Sequence, residues 1–287
     1  MTNKRPIWIT ALLYAGAGAL AVVAFGPALW LIATAFAGPG VPISRLPTPG
    51  EMTTDNFAGA WLDGGLGGVG ADDGTTRWWT SPLINSILVT IAQSVLNVLL
   101  AALAAYPLAR MRFRGRGVIF MLILATIMVP EQVIVVPVFQ AVVGMGLYDT
   151  LAAVVLPFSV TAFGVYLCRQ AFLAIPTELE EAARVDGASA LHIWWHVMLP
   201  LARPALATLA VFSVIGAWSN LLWPLIVLQS RETHTLPVAI NQLLGVFATN
   251  VRYAYAASVL AILPVIGFYI LAQKQLTRGL LAGAVKG

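Results

Sequence analysis

The stretch EEAARVDGASALHIWWHVMLPLARPAL, from Glu180 to Leu206, combines charged residues with a central glycine, Gly187. It lies between two long hydrophobic runs of the chain. Charged side chains are costly inside a lipid bilayer, so a segment of this kind is expected to leave the hydrophobic layer and then return to it. The stretch therefore predicts a polar loop that connects two membrane helices.

Local signals predict that this loop is a helix–turn–helix. The run TELE from Thr177 to Glu180 has the capping-box pattern, in which the first residue caps a helix and the last reaches back to it. Gly187 predicts the left-handed residue that ends this helix. Ser189 predicts the cap of a second short helix, and Pro200 is expected to end that one.

The composition places the chain in a membrane. Its 287 residues are 59% hydrophobic and only 10% charged, whereas soluble domains carry about 25% charged residues. Six segments each reach the roughly 20 apolar residues that a spanning helix needs. The predicted fold is all-α and polytopic, with transmembrane helices at about residues 9–36, 83–108, 117–139, 150–173, 204–228 and 253–275.

Basic residues predict the orientation of these helices. Of the 16 Lys and Arg residues, about twelve fall on one side of the membrane if both termini share that side. Because basic loops face the cytoplasm, both termini are predicted to be cytoplasmic. This bias also accounts for the net charge of +4, so no nucleic-acid partner is expected. The uncharged run between Arg5 and Arg45 exceeds a signal-peptide core, which predicts an uncleaved first helix.

The predicted organisation is a single transmembrane domain, 1–287, in contact with membrane lipid. Its extramembrane parts are an irregular outer loop at 38–82, the cytoplasmic helix–turn–helix at 174–203 and a cytoplasmic tail at 276–287. Prolines predict distortions within the helices: Pro27 should kink the first, and Pro130 and Pro137 should break the outer end of the third.

Catalytic and metal motifs are not predicted. None of the three lysines follows a glycine, so the chain has no P-loop of its own. His192 and His196 have the spacing of a helical zinc pair, but the intervening glutamate is missing and His234 is expected on the other side of the membrane. Cys168 is the single cysteine and is interpreted as a structural thiol.

The opening stretch resembles the EAA loop of ABC-importer permeases. That pattern is E-A-A, three residues, G, nine residues, I, any residue and L-P; here Val197 replaces the isoleucine. The run AAYPLAR, from Ala104 to Arg110, is similar to the second-helix exit of carbohydrate-type permeases. The tail from Gly279 to Gly287 is similar to that of the second-permease class of the maltose-transporter type. Trp218-Ser219-Asn220 departs from the Trp-Asn-Asp of many members.

This resemblance implies a five-part importer in the inner membrane of a bacterium. Two permease subunits form the pathway, two ATPase subunits dock on the EAA loops and bind ATP and Mg, and an extracytoplasmic binding protein delivers the substrate. The present chain would be one permease, not an enzyme, and would hold no cofactor or metal. The loop at about 229–252 would approach the binding protein.

The resemblance also assigns residues to the ATPase contacts. The ATPase-coupling residues are Glu181, Ala182, Ala183, Asp186, Gly187, Leu199 and Pro200. The residues expected in the ATPase interface through the tail are Gly283, Ala284, Val285, Lys286 and Gly287.

Polar and aromatic residues inside the predicted helices are candidates for the substrate pathway. These are Asn85, Gln93, Asn97, Glu131, Ser213, Trp218 and Asn220. Polar groups at membrane depth usually face a cavity or the protein interior. The alternative for the amides and the hydroxyl is hydrogen bonding between helices, and for Glu131 it is a position near the outer headgroups. Trp218 and Trp223 are candidates for stacking on a sugar, although tryptophan is also common at membrane interfaces.

A sugar or oligosaccharide is the expected substrate, and three alternatives remain open. The same architecture would suit a glycerol phosphate or another sugar-like solute, although no Lys or Arg lies deep in helices two to six. A secondary transporter working alone would need inverted repeats and buried coupling carboxylates, for which only Glu131 partly qualifies. A membrane-embedded enzyme would need a cluster of catalytic residues, which the sequence does not show.

Overall fold

The computed structural model of the chain describes residues 7–68, 78–245 and 251–284. The regular structure in these ranges is helical, and pairing of extended backbone is confined there to one isolated bridge between Ala37 and Met52. The all-α prediction is confirmed. The helices in the described ranges are α1 (Ile7–Ala35), α2 (Asp55–Leu62), α3 (Pro82–Arg110), α4 (Arg116–Ala125), α5 (Glu131–Gly144), α6 (Leu151–Val155), α7 (Ala162–Leu173), α8 (Thr177–Val185), α9 (Ala190–Ile193), α10 (Leu199–Leu201), α11 (Arg203–Ser219), α12 (Leu222–Val227), α13 (Leu236–Leu243) and α14 (Val251–Ala284).

Three helices in the described part of the chain are long and apolar enough to cross a membrane, namely Trp8–Ala35, Pro82–Arg110 and Val251–Gln273. Two bent pairs of helices add two further candidates. Arg116–Met128 meets Glu131–Gly144 at a bend of 105°, and Ala190–Leu201 meets Arg203–Ser219 at 80°. The protein is therefore polytopic, with three to five candidate spans on this count instead of the predicted six.

The predicted span at 150–173 is not one continuous helix. Helix α6 ends at Val155 and α7 begins only at Ala162. Pro157 has no amide hydrogen and cannot continue the α6 hydrogen-bond ladder. Thr161 then starts α7 by accepting a hydrogen bond from the amide of Gly164 at 3.0 Å. The break follows from these local signals, which a count of apolar residues does not register.

The prolines have unequal effects. Helix α1 runs past Pro27 without interruption, and Pro137 lies inside α5. Pro130 has extended backbone and caps α5 at the 105° bend. The predicted break is therefore confirmed at Pro130 and wrong at Pro137.

The chain divides into two compact units. The smaller contains the described residues up to Leu66 together with Ile240–Leu263. The predicted irregular loop at 38–82 contains α2, which Asn56 fixes by donating to the carbonyls of Ala35 and Ala37 at 2.9 and 2.8 Å. The prediction was therefore wrong for this part of the loop.

Helix α3 is the centre of the larger unit, where it packs most extensively against α7 and α11. Ala101 and Ala105 on α3 are fully buried beside Cys168 of α7, in agreement with a structural thiol. A Cβ added at Gly164 would lie 3.0 Å from the Cβ of Ala101. Small residues therefore bring α3 and α7 close together, and this contact positions the side chains described next.

Candidate functional site

Helix α8 and the turn that follows it form the predicted polar loop. Gly187 has φ +80°, and its amide donates to the carbonyl of Arg184 at 3.0 Å. The amide of Ala188 donates to the carbonyl of Ala183 at 2.9 Å. These two bonds form a Schellman motif, which requires a left-handed residue at its centre. The predicted conformation of Gly187 is confirmed.

The start of α8 differs from the prediction. Thr177 is its first helical residue, Pro176 occupies the cap position, and no side-chain capping bond forms. Glu180 does not reach back to the helix start but points into the protein, where it is 5% exposed. Its Oε1 accepts hydrogen bonds from Arg184 at 2.7 Å and from Tyr106 of α3 at 3.1 Å. A tertiary contact has displaced the local capping bond.

The residues of the EAA pattern differ in exposure. Glu181, Ala182, Asp186 and Gly187 are exposed, whereas Ala183 is half-buried against the protein's own core. Val185 projects from the same helix and is 88% exposed.

The second half of the loop is one continuous helical run, Ala190–Leu201. Ser189 caps α9 by accepting a hydrogen bond from the amide of His192 at 3.3 Å, which confirms the predicted cap. A wider π-helical turn at Trp194–Met198 joins α9 to α10. Leu199 and Pro200 are half-buried, and the helical run ends at Leu201, one residue after Pro200, close to the predicted end.

A cavity of about 300 Å³ lies among α3, α5, α7 and α11. It brings together Gln93, Asn97, Glu131, Ser213 and Asn220, which are well separated along the chain. The remaining lining is mainly aromatic and small, and consists of Phe158, Thr161, Phe163, Leu209, Phe212, Gly216 and Ala217. Glu131 is the single ionisable side chain among these described lining residues, which include no Lys or Arg.

Asn97 is both a lining residue of this cavity and a junction between three segments. Its Nδ2 donates to Ser213 Oγ at 2.7 Å, and its Oδ1 accepts from the backbone amide of Thr161 at 2.9 Å. Gln93 donates to the carbonyl of Phe158 at 3.2 Å. The two side-chain amides therefore bond to backbone groups at the break between α6 and α7. Hydrogen bonding between helices, the alternative considered from the sequence, is thus observed for residues that also line the cavity.

Three candidates lie outside the lining of this cavity. Asn85 donates to the carbonyls of Glu232 and His234 at 2.8 and 3.0 Å. Trp218 lines a separate, apolar cavity of about 220 Å³. Trp223 is fully buried and donates to the carbonyl of Ala153 at 2.9 Å, so it has no free face for a sugar and that prediction was wrong.

Sequence reasoning missed a second polar cluster, centred on Asp149, which has φ +59°. Its carboxylate accepts bonds from the amides of Gln229 and Ser230 at 2.8 and 3.0 Å, from the Ser230 hydroxyl, and from Thr233 Oγ1 at 2.7 Å. Burial raises the pKa of Asp149, but these bonds outweigh it and lower the pKa to about 2. We call Asp149 with these three partners the Asp149 clasp.

The tail is described only in part. Gly283 and Ala284 belong to the backbone of α14. Val285, Lys286 and Gly287 lie outside the described residues, so the predicted ATPase interface of the tail stays a prediction.

Comparison with known proteins gives the family. The model for binding-protein-dependent transport system inner membrane components matches residues 97–281. The chain is 34% identical, over the full length of both proteins, to an arabinooligosaccharides transport system permease protein of Halalkalibacterium halodurans. It is 32% identical to an sn-glycerol-3-phosphate transport system permease protein of Brucella abortus, over 83% of each chain.

A solved structure agrees with this result. A chain of a bacterial ABC transporter involved in the import of the acidic polysaccharide alginate has a TM-score of 0.79 and 25% sequence identity, covering 96% of this protein and 98% of that chain. The polar loop, the polytopic helices and the family match agree, so the chain belongs to the inner-membrane components of binding-protein-dependent transport systems: it is a permease subunit of a bacterial ABC importer, and ATP is bound by partner ATPases.

Proposed function

We propose that this permease imports a neutral oligosaccharide or a close derivative, and that the cavity among α3, α5, α7 and α11 is its share of the pathway. The lining of that cavity is the observation that carries the proposal. It offers the amides of Gln93 and Asn220 and the hydroxyl of Ser213 beside three phenylalanines. Amides and hydroxyls match sugar hydroxyls as both donors and acceptors, and aromatic rings suit the apolar faces of a sugar.

Charge separates this proposal from the glycerol-phosphate alternative. A phosphate group would be expected to meet Arg or Lys, which pair strongly with it, but the described lining contributes only the carboxylate of Glu131. Like charges repel strongly where water is scarce. The glycerol-phosphate relative shares the architecture, whereas the arabinooligosaccharide relative supports the neutral substrate.

The topology that we propose retains six crossings and cytoplasmic termini. In it, α6 and α7 together make the crossing that is broken at 156–161. Broken helices are tolerated in a membrane where protein satisfies the freed backbone groups, as Gln93 and Asn97 do at Phe158 and Thr161. A reporter that works only in the cytoplasm is expected to be active when it is fused after Gly287, and a reporter that works only in the periplasm is expected to be inactive there. Activity of the periplasmic reporter would refute the orientation.

We place ATPase docking at the exposed end of α8. Glu181, Ala182 and Val185 would meet the ATPase, and the 276–287 tail would reach between the two ATPase subunits. A second permease would complete the pathway, and a binding protein would dock near the loop after α12. The domain boundaries predicted for the outer loop, the coupling loop and the tail belong to this proposal.

Gly187 provides a matched test of docking. A Cβ at Gly187 meets no atom within 4 Å, so substitutions there act through the backbone. Gly187→Asn tolerates positive φ, whereas a β-branched Gly187→Val is strained by at least about 1 kcal/mol. We expect Gly187→Val to lose ATPase in pull-down and to lose uptake, while Gly187→Asn retains both. Equal behaviour of the two variants would refute the coupling-loop assignment.

Uptake assays test the substrate. Cells that contain the complete transporter are expected to take up a radiolabelled neutral pentose oligosaccharide and to discriminate against sn-glycerol 3-phosphate. Glu131→Lys is expected to narrow that discrimination, with Glu131→Gln as the neutral control. Uptake of the phosphate in preference to the sugar by the native protein would overturn the proposal.

A further inference from the structure

We infer that Glu180, rather than the exposed carboxylates of α8, is the positioning residue through which α8 and α3 move as one body. This inference rests on the proposed docking of an ATPase on α8. It assigns to one buried side chain the step that carries a displacement of α8 into the membrane helices. Glu180 lies directly before the EAA pattern, and its role follows from its contacts in the structure.

Four side chains form this junction, which we call the α8 anchor: Tyr106 and Arg110 of α3, and Glu180 and Arg184 of α8. Glu180 Oε2 lies 3.5 Å from Arg110 Nε, and both side chains are only 6% exposed. At that distance the two charges attract without forming a hydrogen bond. The hydrogen bonds of the anchor converge instead on Glu180 Oε1, from Tyr106 and Arg184.

Arg110 extends the junction to a third element. Its guanidinium donates to the carbonyl of Phe172 at 2.7 Å, and it also donates to the carbonyl of Ile175. These carbonyls belong to the end of α7 and to the turn that leads into α8. Tyr106 packs edge-on against Phe172 with ring centroids 6.3 Å apart. The end of α7, the start of α8 and the end of α3 therefore share one buried, charged contact.

The burial of this charge makes separation of α8 from α3 energetically costly. Removing one partner of a buried ion pair leaves the other charge without compensation, which is far costlier than losing an exposed pair. Separation of α8 from α3 would do the same, because Glu180 would leave Arg110 and Tyr106 behind. The exposed Glu178 and Glu181 on the same helix have no such link to α3.

Helix α3 carries the displacement onward to the cavity. Arg110 and Asn97 lie on the same uninterrupted helix, about 20 Å apart at the helical rise. Asn97 is bonded to Thr161 before α7 and to Ser213 of α11. A shift of α8 is therefore expected to reach the cavity walls through α3, without passing through a flexible loop.

Binding-protein stimulation of ATP hydrolysis tests this inference in the complete transporter in proteoliposomes. Glu180→Gln keeps the size of the side chain and removes its charge. Glu178→Gln removes the same charge from an exposed position of the same helix and is the matched control. Tyr106→Phe removes one hydrogen bond to Glu180 and keeps the ring. The readouts are ATPase retention, basal hydrolysis, and the ratio of stimulated to basal hydrolysis.

We expect Glu180→Gln to retain the ATPase subunits and basal hydrolysis, and its stimulation ratio to fall by about 5-fold or more, the lower end of ordinary coupling between sites. Tyr106→Phe should lower the ratio less, and Glu178→Gln should leave it unchanged. A native ratio in Glu180→Gln overturns the inference, as does an equal loss in Glu178→Gln. If Glu180→Gln fails to assemble, a native ratio in Tyr106→Phe overturns it.

The inference and the proposed substrate fail separately. The stimulation ratio compares variants under one liganded binding protein, whatever its solute, whereas the substrate proposal is decided by sugar uptake in the native transporter. Native protein that stimulates normally and imports no neutral sugar would refute only the substrate. Native protein that retains no ATPase would refute the docking on which the inference depends, and the inference with it.

Discussion

The two ends of α3 are tied to their neighbouring loops by different chemistry. At the N-terminal end, Asn85 donates to the carbonyls of Glu232 and His234, and Ser86 Oγ accepts from the amide of Leu236 at 2.7 Å. These are neutral hydrogen bonds between side chains and backbone. At the C-terminal end, the α8 anchor joins buried charges of opposite sign, with Arg110 and Glu180 at its centre.

This difference predicts different mechanical behaviour. A neutral hydrogen bond contributes about 1 kcal/mol net, so the N-terminal contacts should loosen in small, independent steps. A buried ion pair that loses one member costs about 3–5 kcal/mol, so the C-terminal contact should hold or fail as a unit. In the proposed topology the α8 anchor lies on the side of the ATPase, and the neutral hydrogen bonds lie on the side of the binding protein. The rigid contact would transmit movement from the ATPase, and the weaker contacts would let the outer loop change conformation.

Arg110→Met should have the largest effect. It leaves the Glu180 carboxylate buried without its buried counter-charge, and the carbonyls of Phe172 and Ile175 without their donor. Glu180 keeps its bonds from Arg184 and Tyr106, so the expected cost lies at the lower end of the range for a broken buried pair, about 3 kcal/mol. It is measured as a lower midpoint in thermal unfolding of the purified transporter and as less protein in the membrane.

The double variant Arg110→Met with Glu180→Met sharpens this prediction. Replacing both members of a buried pair by apolar residues is often neutral, and Arg184 is 57% exposed, so it loses little when Glu180 is removed. The double variant should recover part of the unfolding midpoint, because the carbonyls of Phe172 and Ile175 still lack their donor and the Tyr106 hydroxyl has lost its acceptor. It should still fail in stimulation of ATP hydrolysis. Recovery of stimulation together with stability would show that the charge itself is dispensable.

Asp149→Asn should have the next largest effect, which concerns the loop at the N-terminal end of α3. Asparagine tolerates the positive φ of this position and keeps one oxygen for the three bonds that converge on Oδ1. It loses the negative charge, however, and replaces Oδ2 by an NH2 group that can no longer accept from the Ser230 hydroxyl. Bonds to a charged group contribute about 1.5–3 kcal/mol, and partial exposure places this one near 2 kcal/mol. Hydrogen exchange should rise at residues 228–236 and stay unchanged in α8. A rise in both regions would show that the two ends are not independent.

Local signals predicted the turn of α8 well, and tertiary contacts account for the errors. The conformation of Gly187 and the cap at Ser189 depend on bonds between residues three to five apart, which a short sequence window contains. Glu180 fitted a local capping box, but its partner Tyr106 lies 74 positions away, and no window spans that distance. Burial of Glu180 beside Arg110 then outweighed the local bond.

The helical spans show a similar division. The length of the apolar segments predicted the spans in α1, α3 and α14, because a continuous spanning helix can be recognised from a run of about 20 apolar residues. It failed at 156–161, where Pro157 and the cap at Thr161 interrupt an apolar segment. The polar candidates were chosen because they lie within predicted membrane helices. That position does not determine which neighbouring element their side chains face. Gln93 and Asn97 therefore line the cavity, whereas Asn85 on the same helix braces a loop.

Asn85→Ala should have a smaller effect than Asp149→Asn. It removes two neutral bonds to the carbonyls of Glu232 and His234, worth about 1 kcal/mol together because Glu232 is exposed to water. Ser94→Ala is the matched control, since its hydroxyl is buried on the same helix without a hydrogen-bond partner. Proteolysis of the loop after α12 should quicken in Asn85→Ala and not in Ser94→Ala. Equal rates would mean that Asn85 does not hold the loop.

Mild acid should have the smallest effect, and only on the neutral end of α3. His234 is 3% exposed, and its Nε2 has no hydrogen-bond partner. Burial lowers its pKa from the ordinary 6.5; an interaction with Gln229 and the charge of Asp149 oppose the shift, and Arg231 adds to it. An opened loop therefore binds more protons below pH 6.5, and the closed loop loses stability as the pH falls. The loss should stay below about 1 kcal/mol at pH 6. Asp149 does not contribute in this range. Its pKa is lowered from 3.8 to about 2, so the stability that its carboxylate provides is lost only as the pH falls below 3.8.

Hydrogen exchange at 228–236, corrected for intrinsic rates, should rise between pH 7.5 and 6 in the native protein and stay flat in His234→Gln. A rise of the same size in His234→Gln would assign the pH response to another group and remove the difference between the two ends of α3 at mild acid pH.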